Sequence, residues 1–225
     1  MDVYAVKILF NIMVQKSNRC NMKKIIFLFL LTILILGVTH AQNNLASALK
    51  QVNAAGQFDT LFYYGVDFSH VRINDAPKIS KNATYSQKYP SAWIAYVEKE
   101  MPPDVYVRSM LGYKDFIYQQ RDIFEVSIAA NPRLITGVDH TIPPDTLNAI
   151  VAKYKLHAKS GLGLVLIPEL FSKPKETAYT WVVFFNIQSR KVLYKAKTYG
   201  TCSHMGYTAH WASGVVAGFE HFAAP

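Results

Sequence analysis

The first long apolar run of the chain, Ile25–Val38, carries no charge over fourteen residues, follows Met22-Lys23-Lys24 and gives way to Thr39-His40-Ala41 and the polar Gln42-Asn43-Asn44. A cationic start, a short apolar stretch and small residues before a polar boundary predict a secretory signal peptide cut after Ala41. Fourteen residues fall short of the roughly 20 that a helix needs to cross the hydrocarbon core, which favours cleavage over a retained anchor. Residues 1–21 stand in front of the basic start, an awkward place for them in a secretory signal, so the initiator is either Met1 or Met22. Cys20 lies before the run and no Cys follows it at the boundary, so no lipid anchor is expected.

Beyond Ala41 the pattern changes to alternating and helical periods. Asn44–Ala54 reads as a short helix stopped by Gly56, or as a mobile leader. Thr60–Ile73 is rich in aromatic and β-branched residues and predicts a strand, with Gly65 marking a bulge or close packing. A polar loop over 74–86 precedes a helix opened by Pro90, with Trp93, Ile94, Val97 and Met101 on one side and Pro102-Pro103 at its end. Residues 104–121 fit a helix or irregular strands. Ile123–Ala129 alternates apolar and polar and predicts a second strand, and Asp145 is placed to cap a helix carrying Leu147, Ile150, Val151 and Tyr154.

The last third is the most strand-like. Leu164–Phe171 and Tyr179–Ile187 are apolar on both faces, as in strands covered on both sides of a sheet. Lys191–Tyr199 alternates lysine with Val192, Tyr194 and Ala196, which suits an edge strand because charge discourages pairing with another chain. Gly206–Phe222 predicts a closing helix through Trp211, Val215, Val216, Phe219 and Phe222. The order predicts an α/β fold: one domain over 42–225 with a mixed sheet of about five strands, parallel pairing among the early strands, a C-terminal three-strand meander, and helices packed on the sheet.

Composition agrees with a packed core: of 225 residues 51% are hydrophobic, 17% charged and 13% aromatic, which excludes a disordered chain. Two cysteines cannot staple a chain of this length. The net charge of +9 shrinks to +5 once residues 1–41 leave, because 19 basic and 14 acidic side chains remain. Nucleic acid is therefore not an expected partner. After cleavage Cys202 is the only thiol, so no internal disulfide can form, and it is buried, free or paired between chains.

Four residues stand out as candidates for chemistry. Asp67 and Glu169 are isolated acids in apolar strands; brought together they would suit hydrolysis of sugars, and apart each would accept hydrogen bonds or pair with a lysine. Cys202 would act as a nucleophile beside His204 or His210, or else behave as a small buried hydrophobe. Cys202, His204, His210 and His221 have metal-ligand side chains, but their spacing does not complete a closed set, so no metal is expected. Asp67 and His70, three apart, would face opposite sides of a regular strand. Gly161-Leu162-Gly163 precedes a strand, whereas phosphate-cradling loops follow one, so it reads as a turn and no cofactor is expected. No Gly-x-Ser-x-Gly elbow occurs, and Lys191, Lys195 and Lys197 form a solvated face.

Several stretches resemble a set of uncharacterised exported bacterial proteins: Tyr63-Tyr64-Gly65-Val66-Asp67-Phe68-Ser69, Gly161 to Glu169, Trp181 to Leu193, and Gly200 to Trp211. Gly200, Gly206, Tyr207 and Trp211 match that pattern, while Cys202 and His204 depart from it. The resemblance implies a shared fold and names no activity. The order of elements is also similar to small α/β domains of envelope-assembly proteins, at the level of fold alone. The expectation is a periplasmic or secreted cell-envelope protein with no membrane span after cleavage, acting without catalysis by binding a protein or a small molecule. The alternative is a hydrolase acting on envelope or extracellular material.

Overall fold

The computed structural model describes residues 44–75, 82–129, 131 and 133–224, with the backbone alone for 82–87. The leader expected over 1–41 and residues 76–81 of the expected loop lie outside the described residues.

Helix α1 (Leu45–Ala55) starts where Asn44 Oδ1 accepts a hydrogen bond from the Ser47 amide at 3.0 Å, a capping interaction that satisfies one orphan donor of the first turn. It buries Leu45, Ala48 and Val52. Strand β1 (Thr60–Val66) follows, and a second, short strand, β2 (Arg72–Asn74), continues along the same edge of the central strand after a break at Asp67–Val71. The expected continuous strand over 60–73 is thus two pieces. Gly65 explains where the break begins. Its φ is +73°, and the register with the central strand shifts between Tyr63 and Val66. A residue with a Cβ adopts that conformation at a cost.

Helix α2 (Asn82–Glu100) is longer than the pattern predicts and contains Pro90 in its interior instead of at its start. Pro90 removes one backbone donor there, yet Trp93, Ile94, Val97 and Met101 bury the face below it. Packing outweighs the local cost. Beyond Pro102 come a π-helical turn (Pro103–Val107), helix α3 (Arg108–Leu111), strand β3 (Asp115–Tyr118), a 3-10 turn (Gln120–Asp122) and helix α4 (Phe124–Ser127). The strand expected over Ile123–Ala129 is therefore a helical turn. Ser127 Oγ donates to the Val66 carbonyl and accepts from the Phe68 amide, so this turn stitches the frayed end of β1 and does not extend the sheet.

Strand β4 (Ile135–Thr136) precedes helix α5 (Thr146–Ala152). Asp145 sits at the cap position, but its side chain makes no capping bond; Thr146 Oγ1 instead donates to the Pro143 carbonyl. Strands β5 (Leu162–Ser172), β6 (Thr177–Asn186) and β7 (Val192–Thr201) form the expected antiparallel meander, and helix α6 (Tyr207–Ala223) closes the chain.

The sheet has seven strands, two more than the pattern suggested, because both outer parallel ribbons are broken in two. β5 is the hub. On one side it pairs in parallel with β1 and then β2, which pair in turn with β3 and β4; on the other it pairs antiparallel with β6. All eleven of its residues are buried. Leu162, Leu164 and Leu166 join the cluster under α1, α2 and α6, whereas Val165 and Ile167 join a second cluster containing Leu147, Ile150 and Val151 of α5. Alternation along the strand sends neighbours to opposite faces, so the sheet is covered on both. α6 lies very close to β7: a Cβ on Gly200 would meet the Gly214 carbonyl oxygen at 2.2 Å.

Candidate functional site

The break between β1 and β2 shapes a cleft of about 470 Å³ beside the carboxyl end of β1. Clefts outside the carboxyl ends of parallel strands are the usual ligand positions of open α/β sheets, because a chain interruption there leaves a crevice. One wall is the broken segment itself, contributing Ser69, His70 and Arg72, joined by Arg133. The opposite wall is the segment around His140–Pro143 together with α5 and the residue after it, whose Thr146, Ala149, Ile150 and Lys153 recur at helical spacing and line the cleft from one face.

Five lining side chains, His70, Arg72, Arg133, His140 and Lys153, carry or can acquire positive charge, and among the described residues no Asp or Glu lines the cleft. The charge is felt inside it. His140 has its pKa held below the ordinary imidazole value, first by burial and then by the Arg72 guanidinium, with His70 and Lys197 acting the same way and Glu169 opposing them. Burial removes water from the imidazolium and neighbouring cations repel it, so both favour the neutral ring.

The two acids singled out by the sequence lie behind this cleft and do not line it. Asp67, fully buried, accepts from Tyr154 Oη at 2.7 Å and from the Ser69 amide at 2.9 Å. One carboxylate thereby fixes the turn that presents Ser69 and His70 and the residue that follows Lys153. Glu169 stands at the register shift in β5 and is 2% exposed. Its Oε2 accepts from Trp181 Nε1 at 2.9 Å and from the Ile142 amide at 3.0 Å, and its Oε1 lies 2.5 Å from Lys197 Nζ. That ammonium also sits 4.8 Å above the Trp181 ring. Among the described residues Asp67 and Glu169 share no hydrogen-bond partner: Asp67 ties the Ser69 turn to the end of α5, and Glu169 ties Ile142 to β6 and β7.

The other two candidates are on the far side of the meander. Cys202 is buried against α6, and burial pushes its thiol up to about 12, with the Glu176 carboxylate adding to the effect. His204 is exposed, with Nδ1 3.0 Å from Ser203 Oγ and its ring edge-on to Tyr96. His210 pairs instead with Glu176 through Nε2 at 2.8 Å, and His221 packs on the Tyr199 ring. No imidazole among the described residues bonds to the Cys202 sulfur. Among the described residues no group of three or more His, Cys, Asp and Glu side chains converges as a metal site would require.

Neither a protein-family description, nor a curated protein, nor a solved structure matches the chain. Its function has to be read from the cleft. The sequence noted His70 only for its spacing from Asp67 and passed over Arg72, Arg133, His140 and Lys153, because only the fold gathers positions from 70 to 153.

Proposed function

We propose that this chain is an exported binding domain of the cell envelope whose cleft takes a small anionic ligand. The observation that carries the reading is the collection of His70, Arg72, Arg133, His140 and Lys153 around one cleft that no acidic side chain lines. Like charges are brought together at a cost unless something neutralises them, and among the described residues no carboxylate lines the cleft itself. The volume, about 470 Å³, matches the few hundred Å³ typical of small-molecule sites. A small molecule therefore fits better than a protein partner. The hydrolase alternative draws less support, since Asp67 and Glu169 are each saturated by separate donors and the Cys202 thiol is held in its protonated form.

Export is part of the proposal, supported by the basic start, apolar run and small-residue boundary of residues 22–41. Among the described residues no helix is long and apolar enough to cross a membrane. The test of binding is a thermal melt at low ionic strength with phosphate, acetate and citrate, repeated on Arg72→Gln/Lys153→Gln. At least one anion should raise the melting temperature of the parent and lose most of that effect on the variant. Fractionation of cells expressing the chain with and without residues 22–41 tests export, which should depend on that segment.

A further inference from the structure

The cleft is lined by two kinds of side chain, and both carry information about the ligand. The cationic groups come from both sides, His70, Arg72 and Arg133 from one and His140 and Lys153 from the other. Alongside His140, Thr146 and Lys153 stand Ile142, Pro143, Ala149 and Ile150, whose side chains offer only carbon to a ligand. An inorganic anion would use the cations and leave the apolar side chains against water. From this juxtaposition we infer that the ligand is an amphiphilic anion: one carboxylate or phosphate head held by Arg72, His70, Arg133 and Lys153, and a short apolar body lying on the Ile142–Ile150 wall.

The walls are built to hold that arrangement. The Ile142 amide is pinned to Glu169 and Tyr154 to Asp67, so the two sides of the cleft keep their spacing without a ligand present. Rigid preformed walls reduce the ordering cost of binding. Ala149 is exposed and small, which leaves room for a tail above it. An apolar tail gains affinity in proportion to the carbon it removes from water, up to about fourfold for each fully buried methylene, whereas an alcohol with the same tail lacks the charge that the cations require.

The inference rests on the anion-binding reading, and the experiment separates the two. Calorimetric titration of the purified full chain at low salt would compare acetate with hexanoate, inorganic phosphate with hexyl phosphate, and hexanoate with hexanol. Hexanoate should bind at least about tenfold tighter than acetate, or hexyl phosphate than phosphate, and hexanol should not bind measurably. The pair that shows the larger gain identifies the head group. Ala149→Asn, a substitution on an exposed helical position, should lower the ratio of tailed to untailed affinity several-fold. Equal binding of tailed and untailed anions would overturn the inference while leaving the anion site standing. No binding by any anion, or binding of hexanol as tight as hexanoate, would overturn the anion site itself.

Discussion

Tyr154 donates its phenolic hydrogen to Asp67 across 87 residues of sequence, at 2.7 Å, with both side chains buried. The bond joins the end of α5 to the break in the first strand, the two elements that face each other over the cleft. Burial and the adjacent carboxylate push the Tyr154 hydroxyl well above its ordinary pKa, so it stays a donor at any pH the fold survives. Tyr154→Phe leaves the carboxylate with the Ser69 amide alone. The expected loss is about 1–3 kcal/mol of unfolding free energy, the range for a buried group deprived of its partner. Urea denaturation measures it, and Asp67→Asn in the same background should recover part of the loss because the stranded charge is gone.

Gly65 and Gln120 make a second, independent prediction. Gln120 Oε1 accepts the Val66 amide at 2.8 Å, and a Cβ on Gly65 would stand 1.7 Å from that oxygen at a φ of +73°. Gly65→Ala therefore combines backbone strain with a collision and should cost about 1–3 kcal/mol. Shortening the glutamine in the double variant Gly65→Ala/Gln120→Ser removes the collision but keeps the strain and strands the buried Val66 amide, so the midpoint should stay below that of the parent.

The thiol of Cys202 should be nearly inert. Its pKa of about 12 leaves almost no thiolate at pH 8, and the sulfur is buried against Gly214. With Cys20→Ser to remove the other thiol, Ellman's reagent should report less than one-tenth of a reactive sulfur in the native chain and a full equivalent in denaturant. Rapid native labelling would revive the nucleophile reading.

The depressed pKa of His140 sets the direction of a pH effect. The unfolded imidazole takes up its proton at a higher pH than the folded one, so stability is fully present above about pH 6.5 and falls as the solution is acidified through that range. Binding of an anion works the other way, because negative charge beside Arg72, His70 and Lys197 relieves the repulsion on the ring. Anion affinity should rise on going from pH 8 to pH 6, with uptake of protons detectable as a buffer-dependent heat of binding. His140→Gln should flatten that dependence while retaining binding through the arginines.

The meander and closing helix were legible because their apolar character runs without interruption: every residue of β5 and nearly every residue from Thr180 to Phe185 is buried. The stretch from Pro103 to Thr136 was not, since its elements are two to five residues long and owe their shape to distant partners. Phe124, Val126 and Ile128 alternate as a strand would, yet Ser127 reaches the Val66 carbonyl and coils the backbone. Asp67 and Glu169 were conspicuous as acids in greasy surroundings, a signature of burial, and they turned up as ties behind the cleft walls. The cations that line the cleft have no such signature.

The hub strand begins at residue 162, whereas the ribbons it joins begin at 60. Until the final third of the polypeptide emerges, β1 and β2 have nothing to bridge them, and a piece ending before Gly161 lacks the middle of its own sheet. Such long-range closure makes assembly slow and late. In a chain built this way the cleft beside β1 takes shape only after its last third has joined the sheet, so the two halves of the sequence cannot be assessed apart.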